Sequence, residues 1–156
     1  MDDRVDQVLL RVRPAPLPAG DRETTLRLLA EEVAEFLPAA EAQGNGLAIF
    51  EDTWQREQAE PTYVGMGLAV PHARVSGLPQ AGVYLAYSQC GIPWPYEEAH
   101  LIALLIVPWE NPEMHLQLLS RLARWRKNLT EAEILSLAES PDKLIVSLDE
   151  AFLDML

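Results

Sequence analysis

The most constraining feature of the chain is the run Leu101-Ile102-Ala103-Leu104-Leu105-Ile106-Val107. It is apolar at every position, yet far shorter than the roughly 20 residues that a membrane helix needs. Read as a strand, it turns successive side chains to opposite faces, so both faces must be covered by other structure. Val83 to Tyr87, rich in branched and aromatic residues, reads as a second central strand. Leu68-Ala69-Val70 reads as a brief third, closed by Pro71.

The rest of the chain supplies covering helices. Leu26, Leu29, Ala30, Val33, Phe36 and Leu37 recur at three and four residues, with Asp21 as cap and Pro38 as stop. After the break at Gly44-Asn45-Gly46, residues Ala48 to Gln58 form a short helix with Phe50 and Trp54 one turn apart. Asn111-Pro112-Glu113 predicts a helix start, with capping side chain, proline and acid in order, running to about Trp125. Thr130 to Glu133 is a capping box. Ser140-Pro141 opens a last helix that turns Leu144, Leu148, Phe152 and Met155 inward.

The predicted fold is therefore α/β: a small mixed sheet flanked by helices in a three-layer sandwich, one domain over residues 1–156. Residues 1–20 read as an N-terminal segment, Val8 to Val12 included, followed by a proline-rich connector, Pro14 to Gly20. Gly91 to Tyr96 reads as a loop, either a mobile flap or a rigid turn. Cys90 reads as a small buried residue beside a strand end.

Composition excludes several classes. With 24 acidic against 12 basic side chains and a net charge of −12, most of the surface repels a phosphate backbone, so nucleic acid is a poor partner. The same charge favours partners with a basic docking face. A single cysteine precludes an internal disulfide and points to a reducing, cytoplasmic setting. The acidic opening Met1-Asp2-Asp3-Arg4 lacks the pattern of a secretory signal, and direct membrane insertion is not expected.

Chemistry concentrates around His72. Pro71 before it fixes its own φ and biases Val70 to stay extended, which aims the imidazole. With an ordinary pKa near ~6.5, a histidine is largely neutral at cytoplasmic pH and offers a nucleophilic nitrogen without a separate base. Upstream, Gly65 and Gly67 allow close backbone approach to an anion, and the Thr62 hydroxyl can donate to it. Arg56 can hold two phosphoryl oxygens at once. His115 falls in the first turn of a helix, where the dipole favours an anion, on the face shared with Leu118, Leu119 and Leu122. Each of these residues also has an ordinary reading: a hydrogen-bonded histidine, turn glycines, a solvated arginine. No metal site is expected, since His72, His100 and His115 lack paired-ligand spacing and Cys90 belongs to no Cys-x-x-Cys motif. Phosphate-loop, dinucleotide, nucleophile-elbow and His-Glu-x-x-His motifs are absent from the sequence.

Arg56-Glu57, then Thr62, then Gly65-Met66-Gly67-Leu68-Ala69-Val70-Pro71-His72 resembles the signature of enzyme IIA of the mannitol/fructose class of the bacterial phosphotransferase system, which includes nitrogen-regulatory IIA proteins. The resemblance continues through His115-Leu116-Gln117-Leu118-Leu119-Ser120-Arg121-Leu122-Ala123 and covers most of the chain after about Asp21. It implies that His72 takes phosphate through Nε2 from the phosphohistidine of a small histidine-containing phosphocarrier protein, with Arg56 and His115 flanking the ring. It implies no cofactor: neither nucleotide nor metal is required, and positioning and charge do the work. Met66 departs from the family pattern, in which a polar or acidic residue usually separates the two glycines.

Three functions follow as expectations. One is a sugar-specific carrier donating to a separate IIB domain. The second, favoured because no IIB or membrane segment is fused, is a regulator whose phosphorylation state alters contacts with a membrane transporter or kinase. The third is a transporter's regulatory domain that keeps the fold and has lost phosphotransfer, with Met66 as its sole support.

Overall fold

A computed structural model describes residues 8–37 and 45–153. Six strands and five helices lie within them: β1 (Val8–Val12), α1 (Arg22–Phe36), α2 (Gly46–Ala59), β2 (Tyr63–Gly65), β3 (Leu68–Ala69), β4 (His72–Val75), β5 (Ala81–Pro93), β6 (Glu98–Pro108), α3 (Met114–Lys127), α4 (Glu131–Leu137) and α5 (Pro141–Ala151). Pro38, Gly44 and Met155, to which the sequence assigns a helix stop, a chain break and an inward contact, lie outside the described residues.

The sheet is mixed, in the order β1-β5-β6-β3-β2, with β4 also paired to β6. The apolar run sits in β6, antiparallel to β5 on one side and parallel to β3 and β4 on the other. Alternation divides its side chains as the pattern requires. Leu101, Ala103, Leu105 and Val107 join a core with α3, α4 and α5 that includes Leu118, Leu122, Leu148 and Phe152. Ile102, Leu104 and Ile106 join a second core with α1 and α2, built from Leu26, Leu29, Val33, Ile49 and Phe50. The result is the predicted three-layer sandwich. Full burial of each such side chain is worth roughly 1.5–3 kcal/mol.

Local signals hold the helices in place. The Asp21 carboxylate accepts the Thr24 amide at 2.7 Å, Asn45 accepts that of Ala48 at 2.8 Å, and the Thr130–Glu133 capping box is present in full. Among the described residues no helix is long and apolar enough to cross a membrane.

Three local expectations are corrected. Gly91–Pro93 is strand, not loop: after a bulge beyond Tyr87, Ile92 pairs with Ala99 and Pro93 with Glu98, leaving a short turn. Ile92 and Trp94 are buried there, and that burial extends the hairpin past the glycine and proline that argue against it. Cys90 is exposed within β5, because the bulge shifts the alternation of the strand. The opening segment Val8–Val12 forms strand β1, paired in parallel with β5, ahead of the connector. Finally, α3 begins at Met114 with no side-chain cap; Asn111 contributes its carbonyl to a turn, accepting the Met114 amide at 3.2 Å.

Candidate functional site

The stretch Leu68–Val75 is one strand broken at Pro71, and the break creates the site. Both halves lie along the same side of β6, and at the break the Pro71 carbonyl accepts the Leu105 amide at 2.9 Å. His72 therefore starts β4, paired with Leu105, where the sequence places it just after a strand. Ala73 and Val75 enter the core beneath α1 and α2. His72 and Arg74, two residues apart, share the opposite face, towards α3.

At this edge a cleft of about 490 Å³ opens, lined by Arg56, Thr62, Tyr63, His72, Arg74, His115 and Leu119 among others. The three residues on which the sequence reading depends thus converge from α2, β4 and α3. The rings of His72 and His115 stack in parallel, with centroids 4.6 Å apart and planes 8° apart. His115 Nδ1 lies 2.6 Å from the Pro112 carbonyl oxygen, which can only accept, so Nδ1 carries a proton and the ring is held in orientation. Neither ring nitrogen of His72 has a hydrogen-bond partner among the described residues.

Arg56 sits in the last turn of α2, where the helix dipole favours a cation. Its Nε donates to Asp52 at 3.1 Å, and the same carboxylate oxygen accepts the backbone N–H of Arg74 at 2.9 Å. Asp52 thereby ties α2 to β4. Burial pushes the His72 imidazole down from 6.5 to about 4, with His115, Arg56 and Arg74 adding to the effect and Asp52 opposing it. At neutral pH the ring is an uncharged base and nucleophile beside two permanent cations.

Thr62, Gly65 and Gly67, the other expected phosphate contacts, have bonds or turns of their own. Thr62 lines the cleft, but both its hydroxyl and its amide donate to Glu57. Glu57 is fully buried and also accepts Trp94 Nε1 at 3.0 Å, with Arg22 3.5 Å away. Burial pushes its carboxyl up, and the hydrogen bonds from Thr62 and Trp94 and the charge of Arg22 oppose the rise. Gly65 and Gly67 do not line the cleft. They serve the β2–β3 turn with φ of 109° and 78°, and the Gly67 amide donates to the Tyr63 hydroxyl at 2.8 Å. Met66 between them, at φ 55°, is half exposed and lines a neighbouring hollow, so the sole support for lost phosphotransfer lies outside the cleft.

Two residues of this arrangement escape the sequence reading: Arg74, which lines the cleft, and Asp52, which holds Arg56 and the Arg74 backbone. Strand alternation from His72 would have found Arg74, and helical spacing from Arg56 would have found Asp52.

Known proteins agree with this architecture. The chain is 31% identical over 124 residues to a nitrogen regulatory protein of Pseudomonas aeruginosa, covering 77% of this chain and 78% of that one. It is 30% identical over 135 residues to the 2-O-alpha-mannosyl-D-glycerate-specific EIIABC component of Escherichia coli, covering 83% of this chain but only 20% of the longer protein. The crystal structure of nitrogen regulatory protein IIA-Ntr from Neisseria meningitidis superposes with a TM-score of 0.71 at 20% identity, covering 92% of this chain and 94% of that one, which is a likeness of fold. The family model for EIIA 2 of the phosphoenolpyruvate-dependent sugar phosphotransferase system matches residues 15–151, and the chain belongs to that family.

Proposed function

We propose that the protein is a cytoplasmic phosphoryl carrier in which His72 accepts the group from the phosphohistidine of a histidine-containing phosphocarrier protein. The observation that carries this reading is the stacked His72–His115 pair with Arg56 at one cleft, His72 being held uncharged at neutral pH. The lone pair of a His72 nitrogen, Nε2 by family resemblance, attacks phosphorus. The N–P bond of the donor breaks, and its electron pair returns to the donor ring. Arg56 and His115 stabilise charge on the transferred oxygens, and catalysis rests on in-line placement rather than on a strong base. Arg56 is already engaged with Asp52, which keeps phosphate binding moderate, as a group that must be handed on requires.

The relative from Pseudomonas, named a nitrogen regulatory protein and matched over 78% of its length, favours regulation of a transporter or kinase over donation to a IIB domain. Incubation with the general phosphotransferase proteins and phosphoenolpyruvate is expected to add one acid-labile phosphate by intact mass, and His72→Ala to abolish it. An unmodified mass with demonstrably active donors overturns the reading. Capture of a transporter or kinase by the tagged protein, with no IIB domain, supports regulation; transfer of label to a IIB domain overturns that preference.

A further inference from the structure

We propose that Arg74 is a second guanidinium that closes on the phosphoryl group carried by His72, leaving the ring of Trp109 to do so. This rests on His72 being the acceptor and adds to it a residue and a movement.

The two arginines at the cleft are engaged differently. Arg56 has its Nε matched by Asp52. Arg74 is anchored to the same carboxylate only through its backbone amide, so its side chain is not held by it. Its Nε is buried with no hydrogen-bond partner among the described residues. Such a donor is uncommon in folded proteins, because it forgoes its bonds to water and receives none in return. The guanidinium instead rests over Trp109, 5.5 Å from the ring centroid, and Trp109 is half exposed. A cation over a half-exposed ring is held more weakly than one making charge-assisted bonds to phosphoryl oxygens.

Position and charge supply the rest. Arg74 lies on the His72 face of β4 and lines the same cleft. Asp52 accepts from the Arg56 guanidinium and from the Arg74 backbone amide, so it leaves the Arg74 guanidinium unmatched, and Glu60, on the cleft lining, is exposed. A phosphoryl group adds close to two negative charges and three acceptor oxygens. Arg74 opposes protonation of His72, so its field reaches that ring. Once the ring carries the group, the same field becomes attractive, and the unmatched Nε and the terminal nitrogens gain acceptors.

The test phosphorylates the intact protein with phosphoenolpyruvate and the general proteins, follows intact mass, and records tryptophan emission before and after. Wild type should gain the phosphate and change its emission as the cation leaves Trp109. Trp109→Phe should gain the phosphate with most of the emission change lost. Arg74→Gln should lose the emission change and accept the group about 10- to 100-fold more slowly, as for removal of one charge-stabilising donor. Arg74→Lys, which keeps the charge without the planar fork, should recover part of both. Should Arg74→Gln fail to fold by circular dichroism, Arg74→Lys carries the test through transfer several-fold slower than wild type. A phosphorylated wild type beside an Arg74→Gln (or, in its place, Arg74→Lys) that matches it in rate and emission overturns the role of Arg74 alone. An unmodified wild-type mass overturns the acceptor reading, and this proposal with it.

Discussion

Two hollows flank the β2–β3 hairpin, with Tyr63 bordering both, and they draw on nearly the same residue types. The His72 cleft has arginines, histidines and a tyrosine; the second hollow, about 470 Å³, has Arg126, His100 and Tyr63. What separates them is how far their polar groups are already engaged. Arg126 is buried, and its guanidinium donates to the carbonyls of Met66 at 2.9 Å and Leu129 at 3.0 Å and to the Glu131 carboxylate. His100 Nδ1 donates to the Ser88 carbonyl at 2.9 Å, and the Tyr63 hydroxyl donates to Glu97 at 2.6 Å. In the cleft, both nitrogens of His72 and the Nε of Arg74 lack partners among the described residues. Residues that satisfy one another hold the fold together, whereas residues left with open capacity beside a nucleophile can act on a ligand.

Replacement of the two histidines tests this contrast most severely. His72→Gln should abolish phosphate uptake by intact mass, while His100→Gln should take it up at close to the wild-type rate. Equal loss in both would erase the distinction. The arginines come next. Arg126→Met leaves two carbonyls without their donor and should cost about 2–4 kcal/mol, read by urea unfolding as a lowered midpoint. Arg56→Met, in a partly exposed ion pair, should cost under about 1 kcal/mol of stability but slow transfer roughly 10- to 100-fold. A stability loss at Arg56 as large as that at Arg126 would count against its place in the chemistry.

The third measurement is the titration of His72 by NMR, with a midpoint expected near 4. The sign for stability follows from that depression. The unfolded ring, at about 6.5, binds its proton first, so the contribution of His72 is present above about 6.5 and lost as pH falls towards 4. His72→Gln should remove that part of the pH dependence; a midpoint near 6.5 would mean that the ring is solvated. The smallest effect belongs to Met66→Gly. Relief of the left-handed backbone, set against the greater freedom of glycine when unfolded, should change stability by less than about 1 kcal/mol and leave transfer within about twofold. A large loss of transfer would bring the hairpin tip back into the site.

Much of this molecule is legible in its sequence. The apolar run in β6, the caps at Asp21, Thr130 and Ser140, and the Pro71-His72 junction act through neighbours in the chain, so their signals are local. What the sequence leaves out is of another kind. Gly91 and Pro93 look like loop residues, and only the burial of Ile92 and Trp94 against distant elements makes them strand. Thr62 looks like an anion donor, yet a buried carboxylate five positions earlier takes its hydroxyl. Gly65 and Gly67 do have the left-handed backbone that glycine allows, and a turn uses it.

Patterns local to the chain set a sheet apolar on both faces, the helices to cover it, and an imidazole aimed from a proline-broken strand. Periodicity, capping and proline restriction each operate within a few residues. Long-range packing is what makes Asp52 hold one arginine by its side chain and the other by its backbone, brings Arg74 into the cleft, and engages Thr62 and the two glycines elsewhere. Whether a polar group is satisfied depends on partners brought close by folding, and no local pattern in the chain records that.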